Sequence, residues 1–490
     1  MRKKNGDLEM TPEAMRESAR RVVDLLVGRA EALRDSRPWE GEFARVLADR
    51  FHKPPPEEGR EVGEVIEQMA REILPLAARL DHPRFFGFVP VAPTWPSVLA
   101  DFMASASTVN QCTWLTSSGP SQIELTVIDW MRQWLGYPEG AGGLFVSGAS
   151  AAAVHALVAA REAGGAPATP AFYMSDQTHT TISRAAFAVG VRHEHMRTLP
   201  SDGRYRLDLE LLADRVAADR AAGIIPMAVC ANAGTASTGT VDPLAALADY
   251  CEAEGIWLHV DAAYGGFAAV TEDGRRALAG IERADSISLD AHKWFFQPYE
   301  AGCLLVKDVR TLERPFALRH DVIQDSIWGA NHPNITDRGL QLTRAARALK
   351  LWASVQTFGM AAFRRAVSRG LELARRAEGR IRSDPILELL HPAELSIVCF
   401  RVRPADLDED AIDTLNKHVL ASVFWDESCY ISSTNLRGTL ALRLCITNPA
   451  TTWADIRGAL DLVVRLGREW ARENVGAEAQ ARSRAALSQD

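Results

Sequence analysis

The sequence predicts an α/β protein: a mostly parallel sheet with helices on both faces, followed by a smaller α+β region. Two patterns carry this expectation. From about residue 142, short apolar runs recur at 171–174, 224–231, 256–260, 286–289 and 302–306, and each has the length and composition of a buried strand. Helical stretches lie between several of them, at 150–162, 207–222 and 243–254. Parallel strands need a long crossover, usually a helix, so this alternation is the signature of a covered parallel sheet.

The other elements follow in chain order. Residues 14–33 and 61–80 carry apolar side chains at helical spacing on either side of the breaker Lys53-Pro54-Pro55-Pro56. A long helical region is expected from Gly339 to about Arg382. Beyond it, apolar runs at 395–401, 430–433 and 439–446 stand among further helices and make up the smaller α+β region. The Ala/Arg/Glu-rich tail after about Asn474 reads as frayed. The expected division is a helical segment over 1–94, a large domain over 95–360, a small domain over 361–475 and a disordered tail over 476–490.

Composition narrows the function class. Hydrophobic residues make up 47% and charged residues 24%, as in ordinary globular proteins. A net charge of −8 gives no electrostatic reason for nucleic acid or an anionic membrane as partner. The apolar runs are too short to span a bilayer, and the polar stretch 1–9 lacks the apolar core of a signal peptide. A cytoplasmic protein is therefore expected. Seven cysteines without a CxxC pair point to neither a disulfide framework nor a zinc site, so no metal is expected. Only seven of the 55 basic residues are lysines (3, 4, 53, 293, 307, 350 and 417), which leaves few candidates for chemistry that needs an amine.

In an open parallel sheet, ligands bind at the carboxyl ends of the strands. Four places there carry polar residues. The turn from Gly140 to Ser150 feeds a helix N-terminus, whose unpaired N–H groups and dipole suit a phosphate; alone, it reads first as a helix capped by Ser147 or Ser150. The run 257–261 ends in Asp261, able to pair with a protonated ring nitrogen or simply to cap the next turn. His259 alternates to the other face and reads as a satisfied core histidine. The run from Asp285 delivers His292 and Lys293 beside Trp294, Phe295 and Phe296. Lysines are rarely buried, and burial lowers an amine's pKa and makes it a nucleophile able to form an imine. His179 follows a fourth strand, placed to stack on a flat group or to sit at the surface before a helix. Together they supply an imine-forming amine, a carboxylate for a pyridine nitrogen, a phosphate cradle and a planar group. Pyridoxal phosphate needs that set, since it acts as an electron sink only with its ring nitrogen protonated and its aldehyde bound as an imine.

The motifs His-Val-Asp-Ala-Ala-Tyr (259–264), Asp-Ala-His-Lys-Trp (290–294) and His82-Pro-Arg-Phe-Phe-Gly-Phe resemble the group II pyridoxal-phosphate-dependent amino-acid decarboxylases. This family includes the aromatic-L-amino-acid, tyrosine, histidine and glutamate decarboxylases, and the similarity runs from about residue 60 to 450. The resemblance implies fold type I, the aspartate-aminotransferase fold, and a homodimer with active sites at the subunit interface. It also implies an N-terminal segment that wraps the partner. By motif, Lys293 matches the Schiff-base lysine, Asp261 the partner of the pyridine nitrogen and His179 the imidazole stacked on the ring. Ala149, Ser150 and His292 match phosphate contacts, and Ala263 the small residue against the ring's other face. The implied reaction converts an L-amino acid, aromatic by preference, to its amine and carbon dioxide.

Two departures stand out. Many members carry a loop tyrosine that delivers the final proton, yet residues 319–340 contain none, and Arg338 falls at its expected place. His179, His320, His332 or water then protonates the product carbon, or oxygen intervenes and an aldehyde forms instead, as in relatives that combine decarboxylation with oxidative deamination. A non-catalytic paralogue is a third alternative. Ala236 replaces a hydroxyl residue near the cofactor, with Thr235 or Ser237 compensating. The substrate pocket is expected to draw on Phe88, Val89, Pro90, Val91, Asn110, Gln111 and Cys112.

Overall fold

A computed structural model describes residues 8–317 and 332–487, with side chains to residue 474. Its centre is a seven-stranded sheet of β1 (Gly142–Val146), β2 (Pro170–Ser175), β3 (Met196–Leu199), β4 (Ile225–Asn232), β5 (Trp257–Asp261), β6 (Ser286–Asp290) and β7 (Gly302–Val306), in the order β1-β7-β6-β5-β4-β2-β3. Strands β3, β2, β4, β5 and β6 pair in parallel, and β7 runs antiparallel to both β6 and β1. The reason lies in the connections. Helices Leu209–Ala221 and Leu244–Glu254 supply crossovers, whereas residues 291–301 between β6 and β7 contain no helix, so the chain turns straight back. That short connection carries Lys293.

The continuous burial of β2, β6 and β7 follows from helices on both sheet faces. Two strands escaped the sequence pattern. β3 is short and half-exposed at the sheet edge, and the apolar stretch of β1 is embedded in the glycine-rich turn. Glycine is required where the turn meets β7: a Cβ on Gly302 would lie 2.3 Å from the Cα of Gly148.

A second sheet, antiparallel in the order β10-β11-β9-β8, comprises β8 (Leu387–His391), β9 (Ile397–Val402), β10 (Ser432–Leu436) and β11 (Thr439–Cys445). Helix Ala348–Arg382 joins the two layers. Its Leu351, Phe363 and Val367 enter the core of the first sheet, and Ala374, Ala377 and Ile381 enter that of the second. The helix begins at Ala348, not at Gly339, where the buried side chains of Arg344 and Arg347 turn to the buried Glu124 and to Glu300, and it kinks at Gly359 (φ 68°). The helical stretch expected over 61–80 is α-helical over Val62–Gln68, widens to a π-helix over Met69–Ile73 and ends as a 3-10 turn, Leu74–Leu76, that contains Pro75. Helix Trp453–Leu487 continues through the tail expected to be frayed. Among the described residues, no helix is long and apolar enough to cross a membrane.

Candidate active site

The carboxyl ends of β2, β4, β5 and β6 open on a cavity of about 410 Å³, closed from the other side by β10, β11 and residues 88–89. Its volume is that of a small-molecule site. Lys293 lies at its floor with 28% of its side chain exposed. The flanking aromatics hold it there: Trp294 is fully buried and stacks on Tyr264 at 5.4 Å, while Phe295 packs on Phe267 and Phe363 at 4.5 and 4.4 Å.

The amine's surroundings correct one expectation. Burial pushes the Lys293 ammonium towards deprotonation, but the charges of Asp290 and Asp261 and a hydrogen bond to Asp290 outweigh it, so its pKa is raised. Nζ lies 3.0 Å from Asp290 Oδ2. Asp261, on the neighbouring strand, accepts the Ala263 N–H (3.1 Å) and the Ser288 hydroxyl (3.3 Å) through one oxygen, Oδ1. Turn capping and cavity lining, posed above as alternatives, therefore coexist in Asp261. His259 is held neutral by burial; its Nδ1 pairs with Ser286 Oγ, while its Nε2 has no partner among the described residues, so it is only half satisfied.

The histidine tautomers follow from backbone contacts. His292 Nδ1 accepts the Ala301 N–H at 3.1 Å, so its proton sits on Nε2, 3.7 Å from Asp290 Oδ2; burial keeps this imidazole neutral. His179 Nδ1 accepts the Thr181 N–H (3.3 Å) and lies 2.8 Å from the Thr181 hydroxyl, capping helix Thr180–Ala188 with the ring exposed to the cavity. Ala149 and Ser150 open the helix Ala149–Ala163, but the Ala149 N–H is already taken by Asp290 Oδ1 at 2.7 Å. Thr235 and Ser237 line the cavity beside Ala236. The Thr235 hydroxyl starts a buried chain through Thr238 and Thr240 to His391.

Every expected cofactor residue thus lines one cavity: Ala149, Ser150, His179, Thr235, Ser237, Asp261, Ala263, His292 and Lys293. The substrate set divides. Phe88 and Val89 line the same cavity, but Pro90, Val91, Asn110, Gln111 and Cys112 do not. Pro90 and Val91 are buried, with the Pro90 carbonyl bonded to Thr447. Gln111 is pinned to the carbonyls of Arg344 and Pro120 just ahead of helix Trp114–Trp134. Arg338 is buried against the Gly143 carbonyl and Glu313, and His332 stacks on Trp114. His320 and most of the tyrosine-free loop lie outside the described residues.

Asp290, Tyr299, Arg443 and residues 432–434 line the cavity without having been singled out. Asp290 was legible, three positions before the lysine within the motif. Arg443 was not, because only the packing of the second sheet brings it to the cavity.

Comparison with known proteins agrees with this geometry. Residues 47–403 match the pyridoxal-dependent decarboxylase conserved domain. The chain is 36% identical to an aromatic-L-amino-acid decarboxylase of Bacillus atrophaeus, covering 94% of this chain and 97% of that one. It is 30% identical to a phenylacetaldehyde synthase of Arabidopsis thaliana, covering 93% and 96%. The solved structure of Oryza sativa TDC with PLP and tryptamine superposes with a TM-score of 0.90 at 26% identity, over 95% of this chain and 99% of that one. A cavity at the strand ends with a lysine and an aspartate on adjacent strands, a type I fold and a family match over most of the chain lead to one conclusion: this protein belongs to the pyridoxal-dependent decarboxylases, enzymes that work with pyridoxal phosphate.

Proposed function

We propose that the chain decarboxylates an aromatic L-amino acid, with pyridoxal phosphate carried on Lys293, and releases the amine and carbon dioxide. The observation that carries this is the shared cavity of Lys293 and Asp261 at the ends of the parallel strands β6 and β5. An aromatic substrate is supported by the printed activity of the Bacillus relative and by the flat surfaces of Phe88, Tyr299 and His179 around the cavity.

The residues present fit the cofactor. His292 carries its proton on the nitrogen not used by the backbone, and it stands with Ser150 at the N-terminus of a 15-residue helix, a combination that suits an anionic phosphate. When bound, pyridoxal phosphate supplies the electron sink for the pair left behind as carbon dioxide departs. Asp261 would hold a proton at the ring nitrogen, Ala263 and His179 would flank the ring, and Thr235 and Ser237 would line its edge. Lys293 would carry the cofactor until a substrate amine displaces it.

A second outcome has two observations behind it: residues 319–340 contain no tyrosine, and a phenylacetaldehyde synthase is 30% identical to this chain. In that case the product is an aldehyde, with oxygen consumed and ammonia and peroxide released. Incubation with a panel of L-amino acids, following carbon dioxide, oxygen and peroxide, separates the two. Oxygen-independent amine formation is the expected result, and stoichiometric peroxide overturns it. No carbon dioxide from any aromatic amino acid would remove the substrate assignment.

The same proposal includes a homodimer in the cytoplasm. Helix Pro12–Ala32 buries only Ala14 within its own chain and leaves Val22, Val23 and Val27 exposed; Leu99, Phe102 and Met103 are exposed on helix Trp95–Ala106. Apolar surface of this extent is characteristic of an association surface. Sedimentation at twice the chain mass is expected, and a monomer at micromolar concentration would contradict it. Seven free cysteines support a reducing compartment, which cell fractionation checks.

A further inference from the structure

Asp290 ends β6 with 3% exposure, and both of its oxygens are committed. Oδ1 accepts the Ala149 N–H at 2.7 Å, at the start of the helix assigned above to the phosphate. Oδ2 lies 3.0 Å from Lys293 Nζ and 3.7 Å from His292 Nε2. A carboxylate this deeply buried persists only when paired, and here its partners are a helix N-terminus and an ammonium. The ammonium belongs to the lysine that, on the assignment above, must bond to an aldehyde carbon. A protonated amine has three donors and no lone pair, so the ion pair that satisfies Asp290 also withholds Lys293 from that bond.

The other groups facing Lys293 do not replace this contact. Asp261 adds negative charge from β5, and Tyr299 and the neutral His292 approach from the β6–β7 connection. His179, Tyr264 and Arg443 line the remaining walls, and the Cys445 thiol lies behind them. Among the described residues, the ion pair within 4 Å of Lys293 Nζ is the one with Asp290.

We propose that Asp290 is the positioning residue that holds Lys293 as an ammonium whenever the lysine is not bonded to the cofactor, and thereby sets the pH above which the chain captures it. This rests on Lys293 being the cofactor-carrying amine. Capture begins when the ammonium gives up one proton to solvent. The freed nitrogen pair bonds to the aldehyde carbon, and the carbonyl oxygen leaves as water with two protons. One proton regained from solvent leaves the linkage charged and facing Asp290 again. An asparagine at 290 keeps an oxygen for the Ala149 N–H, removes the charge, and turns an amide N–H2 donor towards Lys293 and His292 in place of the accepting oxygen.

The test uses full-length apoprotein of the wild type, Asp290→Asn and Lys293→Ala. Each is mixed with pyridoxal phosphate and, separately, with pyridoxal, which has no phosphate for Asp290 to repel. The rate at which the visible absorption of the lysine-bound cofactor grows is followed against pH. Asp290→Asn is expected to move the midpoint down by about one pH unit or more, which makes capture about tenfold faster below both midpoints, with either aldehyde. A second readout needs no cofactor: with seven lysines in the chain, the Lys293 Cε resonance of carbon-13-lysine-labelled apoprotein is identified by its loss in Lys293→Ala, and its titration should shift the same way.

An unchanged midpoint in both measurements, or acceleration with pyridoxal phosphate alone, overturns the proposal and leaves Asp290 a helix cap. If Asp290→Asn does not fold, the wild-type titration decides, and a Lys293 midpoint at or below the ordinary lysine value overturns it. Survival of the visible band in Lys293→Ala would instead refute the assignment of the lysine.

Discussion

Arg443 Nη1 donates a hydrogen bond to the Phe88 carbonyl at 2.7 Å, and Nε of the same guanidinium donates to the Ser237 carbonyl at 3.1 Å. Three walls of the cavity meet at this one side chain: the segment before the first sheet, the loop after β4, and β11 of the second sheet. Phe88 needs such a tie, because its φ of 50° is a conformation that side-chain-bearing residues seldom adopt.

Arg443→Lys is expected to lose the fork that spans these carbonyls, since a lysine offers a point charge in place of a planar array of donors. With bonds to charged groups worth about 1.5–3 kcal/mol each, kcat/KM should fall about tenfold to a few hundredfold while the fold is kept. Steady-state kinetics beside a melting curve check this. An unchanged kcat/KM would mean that the tie has no bearing on the site.

Asp261→Asn removes the carboxylate proposed to keep the ring nitrogen protonated. Loss of that charge-assisted bond, about 1.5–3 kcal/mol, predicts a fall in kcat of at least tenfold, with Asp261→Glu recovering part of it. The visible cofactor band should survive in both variants, because Lys293 is untouched. Full activity in Asp261→Asn would end its assignment.

Stability has its own test at Arg344 and Glu124, a pair 2.7 Å apart with side-chain exposures of 1% and 0%. Glu124 Oε1 also accepts the Phe145 N–H, and Arg344 donates to the Phe145 carbonyl, so the pair clamps β1. Breaking it by Glu124→Gln leaves a buried charge uncompensated and should cost about 3–5 kcal/mol in urea unfolding. Replacing both residues with methionine is expected to cost less than either single change.

His82 predicts a pH dependence. Burial, with the charge of Arg84 adding to it, lowers its pKa from 6.5 to about 4. Above pH 6.5 the imidazole is neutral in both folded and unfolded chains, and its contribution is fully present. As pH falls from 6.5 to 4 the unfolded chain binds a proton that the folded one excludes, so stability drops by up to about 3 kcal/mol. Urea midpoints across this window should fall more steeply for the wild type than for His82→Asn, whose amide oxygen can still accept the Arg84 N–H. Equal slopes would remove His82 as the cause.

Much of the site was legible because its residues sit where strands stop. Lys293, His292 and Asp261 follow apolar runs, and a run's end marks the carboxyl edge of a parallel sheet whatever the distant packing. The substrate pocket was less legible. Within their own chain Asn110, Gln111 and Cys112 do not line the cavity, and Gln111 is bonded instead to Arg344 and Pro120, contacts with no local pattern. β1 was hidden because glycines that allow close approach to β7 resemble a turn in composition.

By itself, the sequence determined the alternation of strand and helix, the family motifs and the placement of the single lysine of the strand-end motif, all of which rest on near neighbours in the chain. The tertiary structure decided the rest. It brought Arg443 to the Phe88 carbonyl across 355 positions, and it reversed the expected effect of burial on Lys293. Burial is one influence on a charge, and two carboxylates outweigh it here: Asp290 stands three positions before the amine, but Asp261 joins it only when β5 and β6 are laid side by side.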